Sequence, residues 1–225
     1  MIDKLTLNIV PTPIGNLEDI TFRSVKTLKN SDYILCEDTR VSKKLLLKYD
    51  IEVPLVSFHS FNEHKTVNKH INQILSGKKI SLISDAGTPS ISDPGFLIVR
   101  ESIKKGIEIN CLPGPTALVP ALVNSGLSSE RFVFEGFIPS KNGRVKRLKN
   151  FKEETRSIIL YESPKRLIRL MKELQEVIGG DRKISISREI SKIYQENLRG
   201  TISELISQLD NKSIKGEIVV IIDGK

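Results

Sequence analysis

The sequence predicts an α/β fold of two lobes, an N-terminal parallel sheet with helices on both faces followed by a C-terminal mixed α/β sheet. Three observations lead there. Short apolar runs alternate five times with helix-like segments through residue 112. From Ala117 onward the texture changes, which puts the lobe boundary between residues 1–116 and 117–225. Finally, Pro/Gly-rich turns at 11–16, 85–95 and 113–116 each follow a predicted strand. They therefore share the carboxyl edge of the sheet, where open parallel sheets bind ligands.

The elements follow in order. Residues 5–10 form a first strand that ends at Pro11, and Asp19 or Thr21 caps a helix carrying Val25 and Leu28. Residues 33–36 are a strand, followed by a helix with Leu45, Leu46 and Leu47, then a strand at 54–58. A helix at 64–75 stops before Gly77, a buried strand covers 80–84, and a helix at 96–105 closes at Gly106. The strand at 107–112 leads into Pro113-Gly114-Pro115. In the second lobe, a helix with Leu118, Ala121 and Leu122 precedes a strand at 131–136 and a Lys/Arg-rich loop in a stretch with room for a helix. Strands at 157–161, 183–188 and 217–222 then alternate with helices at 164–177 and 202–209.

Composition narrows the class. Of 225 residues, 39% are hydrophobic and 28% charged, a balance that supports a packed core. No apolar run is long enough for a membrane helix, and Met1-Ile2-Asp3-Lys4-Leu5 lacks the pattern of a secretory leader. Cys36 and Cys111 form no CxxC pair, so a disulfide framework and a zinc knuckle are not expected and a reducing cytoplasm is. The spacing of His59, His64 and His70 does not stack ligands on one helix face, so no metal site is expected. The net charge of +8 suits an anionic partner such as nucleic acid, provided the charge is clustered.

The turns carry the chemistry. In Pro11-Thr12-Pro13-Ile14-Gly15-Asn16, the prolines fix φ and Gly15 permits a conformation other residues avoid, so the backbone can approach a ligand. The turn is neither a Walker loop nor GxGxxG. Asp85 sits at a strand end, where a carboxylate takes ribose hydroxyls or an ammonium. Asp93-Pro94-Gly95 reads as a helix-capping turn, and Thr116 can cap the next helix or, with Ala117, face a cofactor.

Pro11 through Thr21, Glu37-Asp38-Thr39-Arg40, Ser84 through Gly95 and Leu112 through Ala117 resemble, in order, the ribosomal RNA small subunit methyltransferase I family. So do Glu135-Gly136-Phe137-Ile138-Pro139, Tyr161-Glu162-Ser163-Pro164-Lys165-Arg166-Leu167, Arg188-Glu189 and Lys215-Gly216-Glu217. The family lies in the tetrapyrrole methylase superfamily. The resemblance implies S-adenosylmethionine bound between two α/β lobes, 2′-O-methylation of a cytidine in the decoding region of 16S rRNA within the small ribosomal subunit, and a homodimer. It implies a cofactor site built from Pro13, Gly15, Asn16, Asp85, Gly87, Thr88, Pro89, Thr116 and Ala117, with Tyr161 and Gly216 approaching from the second lobe. Many members continue in a helical segment beyond the position matching Asp223. This sequence ends at Lys225, which implies a short member.

Methylating a ribose hydroxyl requires alignment of the oxygen with the methyl carbon and removal of its proton. The candidate bases are Glu37, Asp38, His59, Glu63 and Glu162, and the candidate cations are Arg40, Lys165 and Arg188. The 37–40 segment follows a strand on the ligand edge and ranks first, with a cap or salt bridge as the alternative role for each carboxylate. His59 is alternatively an RNA contact. Lys141-Asn142-Gly143-Arg144-Val145-Lys146-Arg147-Leu148-Lys149 contains no acid and is expected to be a mobile loop ordered by RNA, with Lys141, Arg144, Lys146, Arg147 and Lys149 on phosphates. Two other readings stay open: a superfamily methyltransferase acting on a tetrapyrrole or other small molecule, and a non-catalytic RNA-binding module.

Overall fold

The computed structural model describes residues 5–210 and 212–225, so most of the N-terminal segment considered above as a leader lies outside the described residues. The chain divides into two compact units, Met1–Thr116 and Ala117–Lys225.

In the first unit, β1 (Thr6–Ile9) is followed by a 3₁₀ turn at Leu17–Asp19, α1 (Phe22–Lys29), β2 (Tyr33–Cys36) and α2 (Thr39–Lys48). Then come β3 (Leu55–Ser57), α3 (Glu63–Leu75), β4 (Ile80–Leu82), α4 (Phe96–Lys104) and β5 (Glu108–Cys111). The sheet order is β3-β2-β4-β1-β5 and every pairing is parallel, with Leu7 opposite both Ile80 and Ile109. Successive strand residues point to opposite faces, and both faces are covered. Ile34 and Cys36 pack with Leu28 of α1 and Leu46 of α2. Leu35, between them, packs with Val67, Ile71 and Ile74 of α3 and Ile98 of α4. Thr21 caps α1 by accepting from the Ser24 amide at 3.0 Å.

The second unit runs α5 (Leu118–Ser125), β6 (Phe132–Phe137), α6 (Arg144–Asn150), β7 (Ser157–Glu162), α7 (Pro164–Ile178), β8 (Lys183–Arg188), β9 (Glu196–Thr201), α8 (Ile202–Leu209) and β10 (Ile218–Ile222). Its order is β6-β7-β10-β8-β9, with only β6 and β7 parallel. Leu167, Leu170, Met171 and Leu174 of α7 and Ile202, Leu205 and Leu209 of α8 bury one face of this sheet. A capping box between Thr201 and Glu204 starts α8.

Three expectations are corrected. Strand β9 was not anticipated: within Glu-Asn-Leu-Arg-Gly-Thr only Leu198 packs on the core, because β9 is an edge strand. The basic loop is in part a helix, α6, entered through Gly143 at φ +81°. The turn Asp93-Pro94-Gly95 enters α4 with Gly95 at the N-cap position, whereas the cap expected at Thr116 is replaced by Ala117 at the start of α5; neither N-cap has a side-chain cap bond. Among the described residues, no helix is long and apolar enough to cross a membrane.

Candidate active site

Three turns of the first unit are stitched together at the carboxyl edge of its sheet. Thr12 and Gly87 form an antiparallel bridge, each amide donating to the other's carbonyl at 2.9 Å. The buried Thr12 hydroxyl donates to the Ser84 carbonyl at 2.9 Å, tying the first turn to the end of β4. The Thr88 hydroxyl donates to the Pro115 carbonyl at 3.2 Å, tying the second turn to the third. Gly114 closes the ring of contacts, since a Cβ there would lie 2.7 Å from Pro11 Cβ. Gly114→Ala is therefore expected to cost about 1–3 kcal/mol through overpacking, measured by chemical denaturation. Gly87 at φ +80° and Gly95 at φ +132° are glycines of these turns with positive φ; Gly15, expected to need such a conformation, is not among the residues with positive φ. Pro13 and Pro89 are buried, Gly15 and Asn16 are exposed, and Asn16 caps the 3₁₀ turn by accepting from the Glu18 amide at 3.1 Å.

Four candidate groups cluster beside these turns, at the ends of β2, β3 and β4. Asp85 accepts from the Asp38 amide at 3.1 Å. Burial pushes the Asp85 carboxyl above the ordinary range, and the Asp38 carboxylate adds to this while its amide bond opposes it. Burial, reinforced by Asp85, likewise raises Glu37, with His59 opposing. Asp38 behaves in the opposite way. Its carboxylate takes Arg40 Nη2 at 2.6 Å, and also Arg40 Nε and the Arg40 amide. That hydrogen bonding holds it at about 2, so Asp38 is the cap of α2 and a poor proton acceptor.

His59 is fixed by its own amide, which donates to Asn62 Oδ1 at 2.9 Å, while its carbonyl accepts from the Glu63 amide at 2.9 Å. His59 Nδ1 and Glu63 Oε2 are both buried without a hydrogen-bond partner among the described residues. Phe58 beside them belongs to the core, whereas Phe61 is exposed.

The remaining candidates lie in the second unit, and several are committed there. The Glu162 side chain is fully buried and accepts from Arg166 Nε at 2.7 Å and the Ser163 amide at 2.8 Å. Its Oε2 is buried without a hydrogen-bond partner among the described residues, 3.8 Å from Arg144 Nη1, so the ion-pair role named as the alternative accounts for the geometry of Glu162. Arg144, expected on RNA, is 1% exposed. Its Nε donates to Glu173 at 2.7 Å, and its Nη1 donates to the Pro139 carbonyl at 3.2 Å and lies 3.8 Å from Glu162. It is withdrawn from the phosphate-contacting set, because its charge is consumed inside the unit. Arg147 pairs with Glu135 at 2.6 Å, which leaves Lys141, Lys146 and Lys149 exposed in the basic stretch.

Arg188 is held by Glu196 at 3.1 Å and the Lys215 carbonyl at 3.2 Å, while Lys165 stands exposed on the first turn of α7. Tyr161 packs edge-on to Phe134 and Phe137, with ring centroids 5.0 and 5.6 Å away. Gly216, at φ +93°, has the Glu189 carboxylate pressed where a Cβ would stand, so packing accounts for this glycine. Among the described residues, no group of three His, Cys, Asp or Glu is placed to hold a metal. The buried hydroxyl of Thr12 was not singled out from the sequence; its signal was only its place between two prolines.

Residues 6–206 match the family of tetrapyrrole (corrin/porphyrin) methylases. The chain is 47% identical to a "Ribosomal RNA small subunit methyltransferase I" of Thermotoga maritima, over 97% of this chain and 98% of that one. It is 46% identical to a protein of the same name from Halalkalibacterium halodurans, over 86% of this chain and 67% of the relative. A cobalamin biosynthetic enzyme, cobalt precorrin-4 methyltransferase, shares the fold with a TM-score of 0.73 at 16% identity, over 97% of this chain and 95% of that one. With its motifs in order, its parallel and mixed sheets in place and this identity along almost its whole length, the chain belongs to the ribosomal RNA small subunit methyltransferase I family of tetrapyrrole methylases.

Proposed function

We propose that this protein uses S-adenosylmethionine to methylate the 2′-oxygen of a cytidine in the decoding region of 16S rRNA, in the small ribosomal subunit. We propose further that it acts as a cytoplasmic homodimer. The observation that carries this reading is the 47% identity to a protein named for ribosomal RNA small subunit methylation, spanning nearly all of both chains.

The residues at the first unit's edge fit the methyl donor. The Thr12–Gly87 bridge and the Thr88–Pro115 bond hold three turns of main chain side by side, and Gly87 presents no side chain there. Asp85 gives one oxygen to the Asp38 amide, and its second oxygen suits a ribose hydroxyl or an amino group. When bound, S-adenosylmethionine supplies a methyl group carried on positively charged sulfur.

Glu37 is assigned the proton of the attacking hydroxyl. Burial raises its affinity for that proton, whereas Arg40 holds Asp38 ionised and Arg166 occupies Glu162. His59, whose charge opposes the rise at Glu37, is assigned to orienting the same region.

The test is transfer of labelled methyl from S-adenosylmethionine to small subunits that lack the modification. Label is expected in 16S rRNA, on one cytidine ribose. Absence of label in 16S rRNA, with methyl-donor binding intact, overturns the reading. Asp85→Ala is expected to weaken methyl-donor binding, measured by calorimetry.

A further inference from the structure

The two helical layers of the first unit differ in charge. Over one face of the sheet, α1 carries Arg23, Lys26 and Lys29, α2 carries Arg40, Lys43, Lys44 and Lys48, and neither helix contains Asp or Glu. Over the other face, α3 and α4 carry four cations and two acids, Glu63 and Glu101. All seven cations of the α1–α2 layer are exposed, and among the described residues only Arg40 has an ion-pair partner.

Helix stability does not explain this placement. Lys26, Lys29 and Lys48 sit in last turns, where they complement the helix dipole. Arg23 and Arg40 sit in first turns, where a positive charge opposes the dipole, and neither first turn carries an acid.

Beside these charges is a place for an apolar group. A groove of about 510 Å³ runs between α2 and β3, within the range of roughly 300–1,000 Å³ typical of small-molecule sites. Leu46, Leu47, Ile51 and Leu55 line it, Arg40 and Lys43 stand at its rim, and Glu52 is the one acid in its lining. Leu47 is 67% exposed although it is the third Leu of a run. Both helices begin at the carboxyl edge that holds Glu37, α1 after β1 and α2 directly after β2.

We propose that the α1–α2 face is the RNA-docking surface, with phosphates of a single-stranded segment on its cations and an unstacked base in the α2–β3 groove. This rests on the rRNA reading above. Cations that track the backbone hold single strands without reading their sequence, and the leucines and Ile51 of the groove offer an unstacked base an apolar wall. A second copy of this chain docked symmetrically on the same face would set seven cations against seven.

The test compares two triple variants on RNA carrying the target. In Lys43→Ala/Lys44→Ala/Lys48→Ala, the slope of log affinity against log salt is expected to fall by about 2, since each lost single-strand phosphate contact removes about 0.7. Affinity should drop about tenfold or more at roughly 0.15 M salt. Methyl-donor affinity and kcat at saturating RNA should stay unchanged. Lys65→Ala/Lys69→Ala/Lys104→Ala, on the opposite layer, should leave RNA binding as in the wild type.

An unchanged slope in the first variant, or equal losses in both, overturns the proposal. So does a change of oligomeric state in the first variant, which would make the face a contact between copies. Leu47→Ser should weaken RNA binding several-fold with the slope intact; unchanged affinity removes the base from the groove. Wild-type protein assayed alongside separates the two readings. If it labels 16S rRNA while the first variant binds RNA normally, only the docking face fails.

Discussion

Glu37→Gln is expected to lower kcat by about 10²–10⁴-fold, the usual contribution of a general base, while methyl-donor affinity stays close to wild type. The amide keeps the shape of the side chain but cannot accept a proton. The wild-type pH profile should show an acid limb, activity rising with pH as Glu37 ionises. Burial and Asp85 move that limb above the ordinary carboxylate range. The variant should lose the limb altogether.

Stability should change in the opposite sense. The folded state binds the Glu37 proton more tightly than the unfolded chain does. Its contribution is therefore favourable below the unfolded carboxylate pKa and is lost as pH rises through the raised folded value. Removing the titration should make the variant more resistant to denaturant than the wild type at neutral pH and not at acid pH. Full activity in Glu37→Gln would leave His59 or Glu63 as the proton acceptor.

Arg144→Ala should be the most damaging single change in the second unit, costing about 3–5 kcal/mol, the range for breaking a buried ion pair. Folded domains have only about 5–15 kcal/mol of stability, so much of the margin disappears. The cost arises because Glu162, fully buried, and Glu173 both lose a cation and the Pro139 carbonyl loses a donor. Burial acts to raise Glu173, yet Arg144 and Arg169 hold it below the usual range, so its charge depends on them. Arg144→Lys should recover little, because a single ammonium cannot span three acceptors. Arg147→Ala, breaking an exposed pair, should cost at most about 1 kcal/mol. Chemical denaturation of the three variants gives the comparison. Equal effects at Arg144 and Arg147 would return Arg144 to the surface.

Much of the fold is legible in the chain because both sheets bury continuous apolar strands. Ile34-Leu35-Cys36 and Ile218 through Ile222 are buried at every position, and such runs stand out from their surroundings. The edge strand β9 escaped because one covered side needs only Leu198. At the site, motif order placed Pro13, Asp85, Glu37 and His59 on one edge, since each follows a parallel strand. Burial of charge was not legible. Arg144 sits among lysines and arginines in sequence, and only the folded chain shows Glu173 and Glu162 beside it. Asp38 and Glu37 are neighbours of the same chemistry, and their different proton affinities come from burial, reinforced by Asp85, at Glu37 and from hydrogen bonds to Arg40 at Asp38.

The place of β1 in its sheet has a consequence for biosynthesis. It precedes β4 and β5 in the chain, yet it lies between them in the sheet, with Leu7 opposite Ile80 and Ile9 opposite Cys111. At about 5–20 residues per second, the nascent chain waits roughly 5–20 s between making β1 and completing β5. No hairpin is available to satisfy β1 in the meantime, since all its pairings are parallel and distant. Leu7 and Ile9 have no strand partner until β4 is made, and β1 gains its second neighbour only when β5 follows, so this half of the protein closes late.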